Sequence, residues 1–123
     1  MVDNLRFGVI GLGLRTSLAV AAHQPALGFE VAALCDTDPG ALARAVERVG
    51  VTDTVDDYRR LLTRADIDAV IVMTPDDTHE AIAIDCLRAG KAVYLEKPIA
   101  ITIESSDAIL RAAYETGTRL YVG

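Results

Sequence analysis

Five short apolar runs recur along the chain: Leu5–Ile10, Val31–Cys35, Ala69–Met73, Ala92–Leu95 and Leu120–Val122. Helical patterns separate them. The runs lack the in/out alternation of a half-exposed strand, so they predict strands covered on both faces. Strands separated by helices call for parallel pairing with right-handed crossovers, hence an α/β fold with a doubly wound parallel sheet. Ligands of such sheets bind at the carboxyl ends of the strands, near the switch point.

Punctuation between the runs supports that order. Asp38-Pro39 reads as an N-cap followed by a first-turn proline, and Gly50 closes that helix. Asp77 with Glu80 resembles a capping box, Asp replacing the usual Ser/Thr, and Gly90 ends the helix. Thr102 is a candidate cap for a last helix that carries Ile103, Leu110, Ala113 and Tyr114 inward and stops at Gly117. A shorter helix is expected over Asp57–Thr63. With no repeat, low-complexity segment or long linker, residues 1–123 form a single domain.

The net charge of −6 argues against nucleic acid or an anionic membrane as partner, since both reward Lys/Arg clusters. No stretch approaches the roughly 18 consecutive apolar residues of a membrane span. The N-terminus lacks the basic region and cleavage site of a leader, which points to a cytoplasmic protein. Cys35 and Cys86 match no metal-ligand spacing and form no Cys-x-x-Cys pair. They are expected as buried, reduced thiols, with no metal.

The first strand runs into Gly11-Leu12-Gly13-Leu14-Arg15-Thr16 and an Ala-rich helix ending near His23. Gly11 permits a tight turn, and Gly13 lets backbone N–H groups approach a diphosphate. Thr16 stands where a third glycine is usual. A plain strand–helix turn would need similar residues, but placement after the first strand favours a nucleotide. Asp36, with Thr37 beside it, ends the second strand twenty positions after Thr16. An acid there accepts ribose hydroxyls and repels a 2′-phosphate, so NAD is favoured over NADP. Asp38 is the better cap, which leaves Asp36 freer for ribose.

At the end of the third run, Pro75 fixes a turn from which Thr74 and Asp76 would face a ligand. Asp76 and Asp77 are also explained as turn and cap residues. His79, in the first turn of the next helix, is read as structural before acid/base. The fourth run ends in Glu96-Lys97-Pro98 at the ligand edge. There Lys97 would stabilise charge on a substrate oxygen as hydride leaves, and Glu96 would orient the lysine or bind ribose. A solvated Glu-Lys pair in a turn explains the same residues.

The stretches VIGLG, CDTDP, VIVMTPDDTHEAIAIDCLRAGKAVYLEKPIA and LYVG together resemble the N-terminal half of the Gfo/Idh/MocA oxidoreductases, from residue 5 to the end. The resemblance implies a Rossmann-type domain for NAD or NADP. The whole protein would transfer hydride at a hydroxyl-bearing carbon of a sugar, cyclitol or derivative. Lys97 would stand at the substrate hydroxyl, with Gly11, Gly13, Asp36, Thr74, Pro75 and His79 around the cofactor. Leu14, Arg15, Thr16, Thr37, Asp76 and Glu96 complete the candidate set. Thr16, and Ala92 in place of a frequent histidine, depart from the family pattern. The family's usual C-terminal α/β domain, with its catalytic histidine, is lacking. The chain is therefore expected to be an isolated cofactor domain, catalytically incompetent alone. The alternative is a non-catalytic, dinucleotide-responsive module acting through a partner or as a homo-oligomer.

Overall fold

The structure, a computed structural model, describes residues 4–123. Six parallel strands form one sheet in the order β3-β2-β1-β4-β5-β6. They are β1 Leu5–Ile10, β2 Phe29–Cys35, β3 Thr54–Val55, β4 Ala69–Val72, β5 Ala92–Leu95 and β6 Leu120–Val122. The helices are α1 Thr16–Ala22, α2 Pro39–Val49, α3 Arg59–Leu62, α4 His79–Arg88 and α5 Ile103–Thr116. This is the doubly wound, Rossmann-like arrangement that the alternating runs predict.

All five expected runs are strands. The sixth, β3, has only two residues and no apolar run to announce it; it pairs Thr54 and Val55 with Leu34 and Cys35. One extra residue in β2 also escapes sequence reading. Phe7 pairs with Val31 but Gly8 pairs with Ala33, so Ala32 is a bulge. The bulge reverses side-chain parity. Val31 and Leu34 face one core, with Val9, Ile71, Ala19, Ala41 and Ala45. Ala33 and Cys35 face the other, with Val70, Val72, Leu95, Cys86 and Ile109. Burial on both faces is why the strands read as unbroken apolar runs. The two cysteines are free and buried, and burial pushes both thiols up to about 12.

The caps of α2 and α5 are as expected. Asp38 accepts from the N–H of Gly40, Thr102 accepts from that of Ser105, and Gly50 and Gly117 close the helices in the left-handed conformation. The capping box does not form. Asp76–Thr78 wind into a 3-10 turn, α4 starts at His79 without a side-chain cap, and Glu80 instead accepts from Ser105 Oγ at 2.7 Å. The expected inward face of α5 is also corrected. Ile109 and Ala112 are buried and Ala113 packs at the core edge, while Ile103, Leu110 and Tyr114 are 78, 51 and 88% exposed. Two apolar stripes at helical spacing run along α5, and the sheet covers one of them.

Connections leave β1 toward β2 and return from β3 to β4 on its other side. The carboxyl ends of β1 and β4 therefore open a crevice between them. Among the described residues, no helix is long and apolar enough to cross a membrane.

Candidate functional site

A cleft of about 1050 Å³ occupies that crevice. It gathers the turn after β1, the end of β2, the loop before α3 and the ends of β4 and β5. Of the residues expected at a site, Gly11, Gly13, Leu14, Arg15, Asp36, Thr37, Thr74, Pro75, Asp76 and Glu96 line it.

The glycines of the turn have different reasons. Gly11 has φ +94°, and a Cβ there would stand 2.7 Å from the backbone of Met73, so β1 and β4 approach too closely for a side chain. A Cβ on Gly13 would meet nothing within 4 Å. Open space therefore lies over Gly13, on the side that lines the cleft. Thr16 is buried outside the cleft, where its Oγ1 donates to the carbonyl of Gly13 at 2.8 Å and steadies the turn. No side chain caps α1 and its first turn holds no acid, while Leu14 is fully exposed on the rim.

Asp36 is engaged rather than free. Oδ2 accepts from the N–H of Leu12 and Oδ1 from that of Asp38, both at 2.9 Å. Each carboxylate oxygen keeps a further lone pair for a hydroxyl donor. The aspartate thus fixes the glycine turn and faces the cleft at once.

At β4 and β5 the expected residues divide. Thr78 Oγ1 lies 2.6 Å from both Thr74 Oγ1 and the carbonyl of Pro75, which holds the turn that presents Thr74. His79 is fully buried and outside the cleft, its Nδ1 2.9 Å from Pro98 O and its Nε2 3.0 Å from Thr74 O. It ties the two loops together. Glu96 pairs with Arg15, 3.5 Å from guanidinium to Oε1, and not with Lys97. Its Oε2 is buried without a hydrogen-bond partner among the described residues. Lys97 is exposed beyond the lining residues, just before a cis Lys97–Pro98 bond, and makes no ion pair among the described residues.

Sequence reasoning missed one wall of the cleft, Asp56 to Arg60, delivered by β3 and α3. The Tyr58 hydroxyl donates to Asp85 at 2.5 Å, and Arg59 stacks over its ring at 4.9 Å. Burial and then that carboxylate raise the Tyr58 hydroxyl to about 12, so it stays a donor. Arg59 and Arg60 pair with Asp57 and Asp56 at 3.4 and 3.8 Å. These cations share the cleft with Asp36, although more than twenty residues separate them in sequence.

The family model described as "Oxidoreductase family, NAD-binding Rossmann fold", that of Gfo/Idh/MocA, matches residues 5–123. The chain belongs to the Gfo/Idh/MocA oxidoreductase family.

Curated relatives include an alpha-N-acetylgalactosaminidase of Shewanella oneidensis, 37% identical over 94% of this chain and 27% of that protein. A glycosyl hydrolase family 109 protein of Shewanella pealeana is 35% identical over the same shares. Among solved structures, the WlbA dehydrogenase of Bordetella pertussis in complex with NADH and UDP-GlcNAcA superposes with TM-score 0.90. It is 31% identical over 99% of this chain and 36% of that one. The scyllo-inositol dehydrogenase of Lactobacillus casei, with bound NAD(H) and scyllo-inositol, gives TM-score 0.85 at 25% identity, over 98% and 36%. This chain spans about a quarter to a third of the length of such Gfo/Idh/MocA relatives.

Proposed function

We propose that the cleft binds NAD in preference to NADP. The diphosphate lies over Gly13 and the adenosine ribose on Asp36. The chain then serves as the nucleotide-binding part of a protein that moves hydride to or from a hydroxyl-bearing carbon of a sugar, cyclitol or derivative. One observation carries this reading. The space that a Gly13 Cβ would occupy is empty of protein, and it opens onto the cleft that Asp36 and Glu96 also line. Family membership and the NAD(H)-bound dehydrogenase neighbours support it.

When bound, the nicotinamide supplies the hydride acceptor. This chain's own residues bind and orient it. Asp36 accepts ribose hydroxyls, and its charge opposes a 2′-phosphate. Thr74 and Asp76 face the ligand from the end of β4. Lys97, at the end of the neighbouring strand, donates to the substrate hydroxyl and stabilises the charge that develops on its oxygen. The 123 residues alone bind dinucleotide with little turnover, because the family resemblance assigns the acid–base histidine to the C-terminal domain.

Calorimetric titration tests the binding, with NAD expected ahead of NADP and no heat from either at millimolar concentration overturning it. In the longer protein, Lys97→Ala is expected to cut turnover by about 100-fold or more with NAD binding nearly unchanged. Unaltered turnover would refute the catalytic role.

The glycosidase relative favours a second reading for the longer protein, since NAD-dependent glycosidases exist beside the two-carboxylate kind. Sugar release without accumulation of NADH selects it; stoichiometric NADH selects the dehydrogenase.

A further inference from the structure

The Arg15–Glu96 pair joins two elements that face each other across the end of β4. Arg15 comes from the turn after β1, Glu96 from the end of β5, and β4 lies between those strands. The pair is lopsided. Arg15 is 59% exposed and Glu96 13%. Its 3.5 Å separation is longer than a hydrogen bond of charged groups, and Oε2 has no partner among the described residues. Arg64 shows what this chain does with a settled pair: it donates to Asp53 at 2.8 Å and Asp66 at 2.7 Å. Buried carboxylate oxygens without donors are uncommon. Glu96 is thus an under-satisfied carboxylate whose ion-pair partner among the described residues, Arg15, stands on a largely solvent-exposed side chain.

We infer that Arg15 is a counter-ion with two stations: Glu96 while the cleft is empty, and the diphosphate once a dinucleotide enters. This rests on the dinucleotide reading above and adds regulation to it. A guanidinium fork matches phosphate oxygens in pairs, better than it matches one carboxylate oxygen at 3.5 Å. One guanidinium serves one partner fully at a time, so Glu96 holds back the cation that the ligand needs. Binding then includes an exchange of ion pairs, and Glu96 sets how strongly an incoming diphosphate must compete.

ADP isolates the effect, because it carries the diphosphate without the second nucleoside. The experiment is calorimetric titration of the 123-residue chain and its Glu96→Gln, Arg15→Met and double variants with ADP and with NADH. Thermal melts confirm that each variant is folded. Arg15→Met is expected to weaken ADP about 10-fold, the loss of a charge-assisted contact. Glu96→Gln should tighten ADP several-fold when Arg15 is present and by less than about twofold when it is not. Equal tightening in both backgrounds would show Glu96 acting as a bare negative charge, and no tightening with Arg15 present would show no competition; either overturns the inference while NADH binding by the unaltered chain stands. If the unaltered chain binds neither ligand, the dinucleotide reading fails and the inference with it.

Discussion

Asp36 and His79 show how single residues serve position and chemistry differently. Asp36 is legible as an acid at a strand end, and its bond to the N–H of Leu12 adds a duty no spacing reveals. Asp36→Asn keeps an acceptor for Leu12 but removes the charge. NAD binding should fall about 10-fold, the loss of one charge-assisted hydrogen bond, and NADP binding less, so calorimetry should show the preference narrowing. Asp36→Ala should also lower the melting temperature, because it orphans the Leu12 amide. His79 is fully buried, with each ring nitrogen against a backbone carbonyl. A neutral imidazole donates to one of its two carbonyls, and only an imidazolium donates to both. His79→Phe leaves the carbonyls of Thr74 and Pro98 without that ring, a loss of about 2 kcal/mol or more in urea unfolding.

Among the elements, α5 is the sharpest case. Its caps are local chemistry and were readable; its rotation about its own axis was not. Ile109 is fully buried and its neighbour Leu110 is half exposed. Ile109→Ala should therefore destabilise by about 2–5 kcal/mol, and Leu110→Ala by well under 1, in denaturant titrations. Reversal of the two would restore the face expected from sequence. The 3-10 turn before α4 has a similar lesson. Asp77 and Glu80 have the spacing of a reciprocal cap, but Glu80 is drawn to Ser105 on the adjacent helix. A distant donor outweighed a local one.

Over the whole molecule, the two edges of the sheet differ in how their charges are settled. At the amino ends of the strands, Arg64 bridges Asp53 and Asp66, Lys91 donates to the carbonyls of Arg64 and Ile67 at 2.6 and 2.7 Å, and Arg6 meets Asp68. At the carboxyl ends, Glu96 is short of a donor and Lys97 has no ion pair among the described residues. Arg64 holds the Asp66 carboxyl down at about 2, from 3.8. That pair's contribution is present above pH 4 and lost as pH falls through about 2. With both partners partly exposed, solvent screens it, so the effect is modest. Acid unfolding followed by circular dichroism should lose that component in Asp66→Asn and keep it in Asp77→Asn.

By itself the sequence determined the strand runs, their parallel pairing, the glycine turn and the acid at the end of β2. These follow from nearest-neighbour chemistry: caps, turns and apolar runs act over a few residues. Only tertiary structure decided the bulge at Ala32, the face of α5, the wall from Asp56 to Arg60 and the partner of Glu96. Each of those depends on which of several equally good local options another element leaves open, and that choice is made by packing between residues far apart in the chain.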